Sequence, residues 1–283
     1  MALDLLPPAL RRALLKLELP QKRRLSRGRP GTHSGLRRGL DDEFREHRPY
    51  AQGDDPKQVD WRATARAGHL LLRVRHGWQT RPLVLLLDAS ASMGFRGKFD
   101  LARTLAASAG YLALRGGDRV ELFVLLEGRF TPVARIAPGP RAIAGLLAAL
   151  TRLVPAGRSD LGAAASSLRL PARSGSIVLL SDLYGELERT ASAVAAWVKG
   201  GSDVAVLQLL AAEEKGIAEG TRGLLDLENG QRAALDAATI AAHETAMEGF
   251  RQKARRLVRT AAADFVDAPA EAQAIDVLKA WLK

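Results

Sequence analysis

Asp88, Ser90 and Ser92 put one carboxylate and two hydroxyls at alternate positions of a short stretch. All three are hard oxygen donors. Magnesium suits such a set, because it binds through a few protein oxygens and keeps part of its water. Immediately before them runs Leu83-Val84-Leu85-Leu86-Leu87, an unbroken aliphatic segment. Such a run is what a strand buried on both faces looks like, and open α/β sheets bind ligands outside the carboxyl ends of their strands. A polar turn whose serines cap the next helix has the same composition, so this loop alone leaves both readings open.

Two later stretches bear on the choice. Ser176-Ile177-Val178-Leu179-Leu180-Ser181-Asp182 repeats the pattern, an apolar strand ending in a hydroxyl and a carboxylate. Between the two lies the loop from Val154 to Gly162, which carries Ser159 and Asp160. If the strands share one parallel sheet, all three loops meet at its carboxyl edge.

The elements that must position them alternate along the chain. Helical spacing of Leu101, Leu105 and Leu112 predicts a helix over 98–115. Two strands, 119–126 and 129–136, flank Glu127-Gly128 and predict an antiparallel hairpin. Helices over 140–153, from after Gly162 to about Leu170, and over about 186–199 accompany strands at 176–182 and 204–210. A hairpin with an Asn229-Gly230 turn, a long helix over 237–261, a strand at 263–266 and a last helix from Pro269 complete the series. Strands alternating with helices predict an α/β doubly wound, Rossmann-like domain with a mixed, mostly parallel sheet. Upstream, apolar positions between Leu6 and Leu17 predict a short helix. Asp55-Pro56 reads as an N-cap and first helical residue of a helix running through Trp61 to about Ala67. A half-exposed strand is expected over 69–76.

Charge divides the chain unevenly. The net charge is +11, and residues 11–38 hold ten Lys or Arg against the single acid Glu18. A basic arm of this kind suits nucleic acid, an anionic lipid surface or an acidic protein face. It contains no aromatic residue to stack on bases, which disfavours nucleic acid. The chain has no cysteine, which excludes disulfide and iron–sulfur chemistry and fits a reducing cytoplasm. Residues 1–8 lack the basic flank and apolar core of a signal peptide. No apolar run approaches the roughly 20 residues of a membrane span. A soluble, cytoplasmic protein is the expectation, with segments 1–29 (basic arm), 30–80 and 81–283 (α/β domain).

The three loops, in this order, resemble the metal-ion-dependent adhesion site of von Willebrand factor A domains. That resemblance implies a magnesium ion held by Asp88, Ser90 and Ser92 from the first loop, Ser159 in place of a threonine from the second, and Asp182 from the third. Asp160 is a rival ligand. Leu183-Tyr184 stand where the family carries glycine. A phosphotransferase of the haloacid dehalogenase type also opens with an aspartate after its first strand, which would make Asp88 a nucleophile. That class wants a second carboxylate two positions on, where this chain has Ser90. Nor is a lysine motif placed to clamp phosphate.

Upstream, Arg38-Gly39-Leu40-Asp41-Asp42-Glu43-Phe44, Arg48-Pro49-Tyr50-Ala51-Gln52-Gly53-Asp54-Asp55 and Val59-Asp60-Trp61-Arg62-Ala63-Thr64-Ala65-Arg66 look like the signature of the family catalogued as domain of unknown function fifty-eight. Its members resemble von Willebrand A proteins preceded by this segment. Many are encoded beside MoxR-type AAA+ ATPases and are thought to assemble or activate other proteins with them. Many also carry N-terminal membrane helices. This chain reads as a short soluble form, with peripheral membrane contact through the arm left open. The resemblance implies a non-enzymatic, magnesium-dependent binding module for such an ATPase and a carboxylate-bearing client. Arg45, Asp54, Asp55, Asp60 and Trp61 are expected to build an ion-paired platform. A direct partner contact through Arg45, Asp54, Asp55, Trp61 or Asp160 is the less favoured role.

Overall fold

The structure, a computed structural model, describes residues 4–19, 44–51, 54, 56, 59–75, 82–158, 160–170, 175–217, 221, 223–225, 227, 230, 232–234 and 236–283. Two compact units emerge, one of residues 1–24 with 81–283 and one of residues 25–80.

In the smaller unit, β1 (Phe44–Pro49) pairs antiparallel with β2 (Leu71–Arg75), and α2 (Trp61–Ala67) lies between them in sequence. The larger unit begins with α1 (Pro8–Leu14) and continues through β3 (Leu83–Asp88), α3 (Lys98–Arg115), β4 (Val120–Leu126), β5 (Arg129–Ile136) and α4 (Ala142–Thr151). Then come α5 (Leu161–Ser167), β6 (Ser176–Ser181), α6 (Leu187–Lys199), β7 (Asp203–Leu210) and α7 (Ala212–Lys215). A small hairpin of β8 (Gly223–Leu225) and β9 (Arg232–Ala234) leads to α8 (Ala237–Thr260), β10 (Asp264–Pro269) and α9 (Ala274–Trp281).

The main sheet has the order β10-β7-β6-β3-β4-β5. All neighbours are parallel except β4 and β5. That pair forms because Glu127 and Gly128 both take positive φ, 49° and 72°, the geometry a two-residue hairpin turn needs. This is the mixed, mostly parallel doubly wound sheet that the alternation of elements predicts.

The aliphatic run of β3 is buried from end to end, because each face meets a different core. Leu83, Leu85 and Leu87 pack with residues of α3, α4 and α9, whereas Val84 and Leu86 pack with α5, α6 and α8. Leu5, Leu6 and Leu14 around α1 join the first of these cores. Arg115 then donates to the carbonyls of Leu14 (3.1 Å) and Leu17 (2.5 Å), satisfying the helix end.

Most boundaries move by a few residues from the sequence expectation, and two of the differences have a clear physical reason. Helix α2 starts at Trp61 with Asp60 as its N-cap, accepting from the N–H groups of Arg62 and Ala63. Val59 bridges Leu72 in extended pairing, which a helix begun at Pro56 would forbid; Asp55 itself lies outside the described residues. Pro269 ends β10 instead of opening a helix, paired with Leu210 on an edge strand. Proline fits there because one side of an edge strand has no ladder to donate to.

Candidate functional site

The strand order reverses between β3 and β6. From β3 the chain crosses to β4 on one side, and from β6 it crosses to β7 on the other. The crevice outside the carboxyl ends of two strands that part in this way is the usual ligand site of an open α/β sheet. Asp88 ends β3 and Asp182 follows β6, so the two carboxylates flank that crevice, and each is only 1% exposed.

Hydrogen bonds tie the first and third loops together. Ser181 donates to Asp88 Oδ2 at 2.6 Å, and the N–H of Ser90 donates to Oδ1 at 2.9 Å. The Ser90 and Ser92 hydroxyls lie 3.1 Å apart, and Ser92 donates to Asp182 Oδ2 at 2.8 Å. Neither serine caps a helix: Ser90 makes no side-chain cap bond and α3 starts from Gly97. The capped-turn reading of this loop therefore does not describe its hydroxyls.

Between β3 and α3 the chain makes two 3-10 turns within Ala91–Gly97, broken by a kink at Phe95 and Arg96 and anchored by the fully buried Met93. The second loop lies against the first through the backbone, Ala91 N–H to Gly157 O (2.9 Å) and Ala156 N–H to Ala89 O (2.8 Å). Ser159 lies outside the described residues. Asp160 is exposed and uses its carboxylate to cap α5 at the N–H of Ala163.

The third loop turns at Leu183. Leu183 takes φ 65°, a left-handed conformation that costs a non-glycine residue roughly 1–2 kcal/mol. Its side chain is 2% exposed in the core of α5 and α6, and its N–H donates to Ser181 Oγ. Burial of an aliphatic side chain, about 1.5–3 kcal/mol, offsets that strain. Gln208 donates to the carbonyl of Asp182 (3.2 Å) and Tyr184 N–H to its Oδ1 (3.2 Å).

Sequence reasoning missed Lys98 and Glu214 at the centre. Lys98, 0% exposed, donates to Asp182 Oδ2 at 2.9 Å and to Glu214 Oε1 at 2.6 Å. Glu214 belongs to α7, at the carboxyl end of β7. Its Oε2 accepts from Ala211 N–H (2.8 Å) and its Oε1 also accepts from Tyr184 OH (3.2 Å). The signal for Lys98 was its register, seven residues before Leu105 and fourteen before Leu112, on the apolar stripe of α3. A lysine therefore does stand at this site, contrary to the sequence reading, but two carboxylates already hold its ammonium.

Asp88 feels this enclosure. Burial, and then the charge of Asp182, push Asp88 up to about 7. Tyr184 is raised too, by burial first and by Glu214 second, so it stays a protonated donor.

The donor set suits a hard cation on chemistry and on spacing. Adjacent ligands on a magnesium octahedron with ~2.1 Å bonds stand about 3.0 Å apart. The steps from Ser90 to Ser92 to Asp182, 3.1 and 2.8 Å, match that edge. Among the described residues no group of three or more His, Cys, Asp or Glu side chains is arranged to hold a metal, so the hydroxyls are indispensable to such a site.

Residues 46–260 match the family described as Protein of unknown function DUF58. The chain belongs to this family. It is 35% identical over 191 residues to the uncharacterized proteins Rv1480 of Mycobacterium tuberculosis and Mb1516 of Mycobacterium bovis, a match covering 65% of this chain. The match spans 60% of the length of these relatives. Similar solved structures include BatB from Bacteroides thetaiotaomicron, with 18% identity, a TM-score of 0.46 and coverage of 71% of this chain and 96% of that one. The VWA domain of SpRpn10 is 10% identical with a TM-score of 0.40, covering 71% and 95%. The DUF58 chain has a mixed, mostly parallel α/β sheet with helices on both faces. Among its described residues no helix is long and apolar enough to cross a membrane.

In the smaller unit, Asp54 holds Arg48 at 2.6 Å and accepts from Ala51 N–H, while His47 Nε2 lies 3.1 Å from Asp60 Oδ2. Trp61 is 65% exposed, and the side chain of Arg45 lies outside the described residues.

Proposed function

We propose that this chain is a non-enzymatic, cytoplasmic protein-binding module whose contact site is the carboxyl edge of β3 and β6, working through a magnesium ion. The observation that carries the reading is the chain of oxygens from Ser90 through Ser92 to Asp182 beside Asp88 at the sheet's switch point. Asp88, Ser90, Ser92 and Asp182 would hold the ion, with Ser159 from the second loop. Bound there, it would supply a Lewis-acidic position for a carboxylate of the partner. The protein's own residues do the rest: Ser181 and the Ser90 N–H fix the Asp88 carboxylate, and Gln208 and Tyr184 fix the third loop.

The partner we propose is a MoxR-type AAA+ ATPase, together with a client that presents a carboxylate. Membership of DUF58 and a von Willebrand A-like domain, a type that generally mediates protein interactions, support an adaptor role over catalysis. Ser90 at the position of a second carboxylate, and an ammonium held by two carboxylates, weigh against a phosphatase built on Asp88. Co-purification tests the reading. In magnesium, wild type should retain the ATPase, and Asp88→Ala, shown to be folded by circular dichroism, should lose it. Equal retention by the variant would refute the assignment.

A further inference from the structure

The site already contains a cation. Lys98 Nζ shares Asp182 Oδ2 with the hydroxyl of Ser92, at 2.9 and 2.8 Å. Any ion bonded to that oxygen at ~2.1 Å would stand within about 5 Å of Nζ, because the two separations can at most add. Two positive charges that close, inside a region where Asp182 and Lys98 are both shut from water, repel strongly.

We infer that Lys98 is a tethered cation that competes with a divalent ion for Asp182 and so sets the metal affinity of the site. This rests on the metal reading proposed above. Lys98 has a second holder, which makes the exchange possible. Glu214 Oε1 lies 2.6 Å from Nζ, and its carboxylate is fixed by Ala211 N–H and Tyr184 OH. The ring of Tyr184 also lies 5.3 Å from Nζ. When a divalent ion takes Asp182, Lys98 stays on Glu214 and its charge remains paired. Lys98 lies at the first position of α3, directly after the turn that carries Ser90 and Ser92, and Glu214 lies in α7. Metal binding therefore moves a contact between two elements instead of filling a ready socket.

The competition gives opposite signs for two substitutions. Lys98→Met removes the rival cation and keeps an unbranched apolar stem, so divalent binding tightens. Glu214→Gln removes the second holder, so Lys98 concentrates on Asp182 and divalent binding weakens. A residue that only supported the fold would weaken binding in both variants.

The experiment is Mn²⁺ titration of the full chain, reading free Mn²⁺ by electron paramagnetic resonance, with Mg²⁺ competition and thermal midpoints. Lys98→Met is expected to bind at least about tenfold tighter than wild type, a change of 1.4 kcal/mol or more, and Glu214→Gln several-fold weaker. If Lys98→Met is unstable without metal, Mn²⁺ should raise its thermal midpoint more than it raises that of wild type. If it does not fold at all, Glu214→Gln decides, and wild-type affinity there overturns the inference. Equal affinity in wild type and Lys98→Met, lost in Asp88→Asn, removes the lysine's role and leaves the metal site standing. No Mn²⁺ binding in any of the proteins at millimolar concentration overturns both.

Discussion

The ammonium of Lys98 lies 2.9 Å from Oδ2 of Asp182, and both side chains are closed to solvent. This pair joins the first turn of α3 to the loop after β6, across the crevice where the sheet's strand order reverses.

Removing either partner should destabilise the fold, but unequally. Breaking a buried ion pair by deleting one charge costs about 3–5 kcal/mol. Lys98→Met strands both Asp182 and Glu214, whereas Asp182→Asn leaves Lys98 with Glu214. Urea denaturation in chelator should therefore rank wild type above Asp182→Asn and that above Lys98→Met. The reverse order would mean that Glu214 is a minor partner.

Asp88 makes stability depend on pH in a set direction. Its folded value of about 7 stands above the ordinary value of 3.8, through burial and the charge of Asp182. Between about pH 4 and 7 the folded protein keeps a proton that the unfolded chain has released, so this group's contribution falls as pH rises through that window and levels off above it. Midpoints measured in chelator from pH 4 to 8 should show that fall in wild type and not in Asp88→Asn. Divalent binding, which needs the carboxylate charged, should tighten over the same range.

Leu183 offers an inverted mutational order. Its φ of 65° favours glycine, while its buried side chain favours leucine. Leu183→Ala loses the packing and keeps the strain; Leu183→Gly loses the packing and relieves it. Thermal midpoints should run leucine, then glycine, then alanine, with glycine above alanine by roughly 1 kcal/mol.

Trp61 separates binding from stability. At 65% exposure, its truncation should change stability by no more than ~0.5 kcal/mol. If the smaller unit meets a partner, Trp61→Ala should weaken capture at unchanged thermal midpoint, as aromatic anchors do. Asp60→Ala, by contrast, removes the cap of α2 and should cost about 1 kcal/mol.

Much of this arrangement is legible in the residue order because its causes are local. The period of Leu101, Leu105 and Leu112 marks α3 to its observed ends, and Glu127-Gly128 marks the β4–β5 hairpin. Asp88 and Asp182 are readable because each ends an apolar run, which puts them at strand ends whatever the sheet order. Lys98 is a different case. A lysine beside a glycine reads as solvated, and its burial depends on partners 84 and 116 residues away. Glu214, in Ala211-Ala212-Glu213-Glu214-Lys215, likewise looks like a charged surface turn until Lys98 and Tyr184 meet it. The cap at Asp60 was misplaced to Asp55 because Asp-Pro is a strong local signal; Val59 N–H does close a turn on the Pro56 carbonyl at 3.2 Å, but its bridge to Leu72 keeps that turn from running on into α2.

The central claim is that the Asp88–Asp182 crevice binds a protein through a divalent cation. Its most direct measurement is complex formation between the purified chain and a MoxR-type AAA+ ATPase by analytical ultracentrifugation, in magnesium, in chelator, and after magnesium is restored. A complex that forms in magnesium, dissociates in chelator and reforms on restoration is the expected result. A complex of the same affinity in chelator would contradict the account.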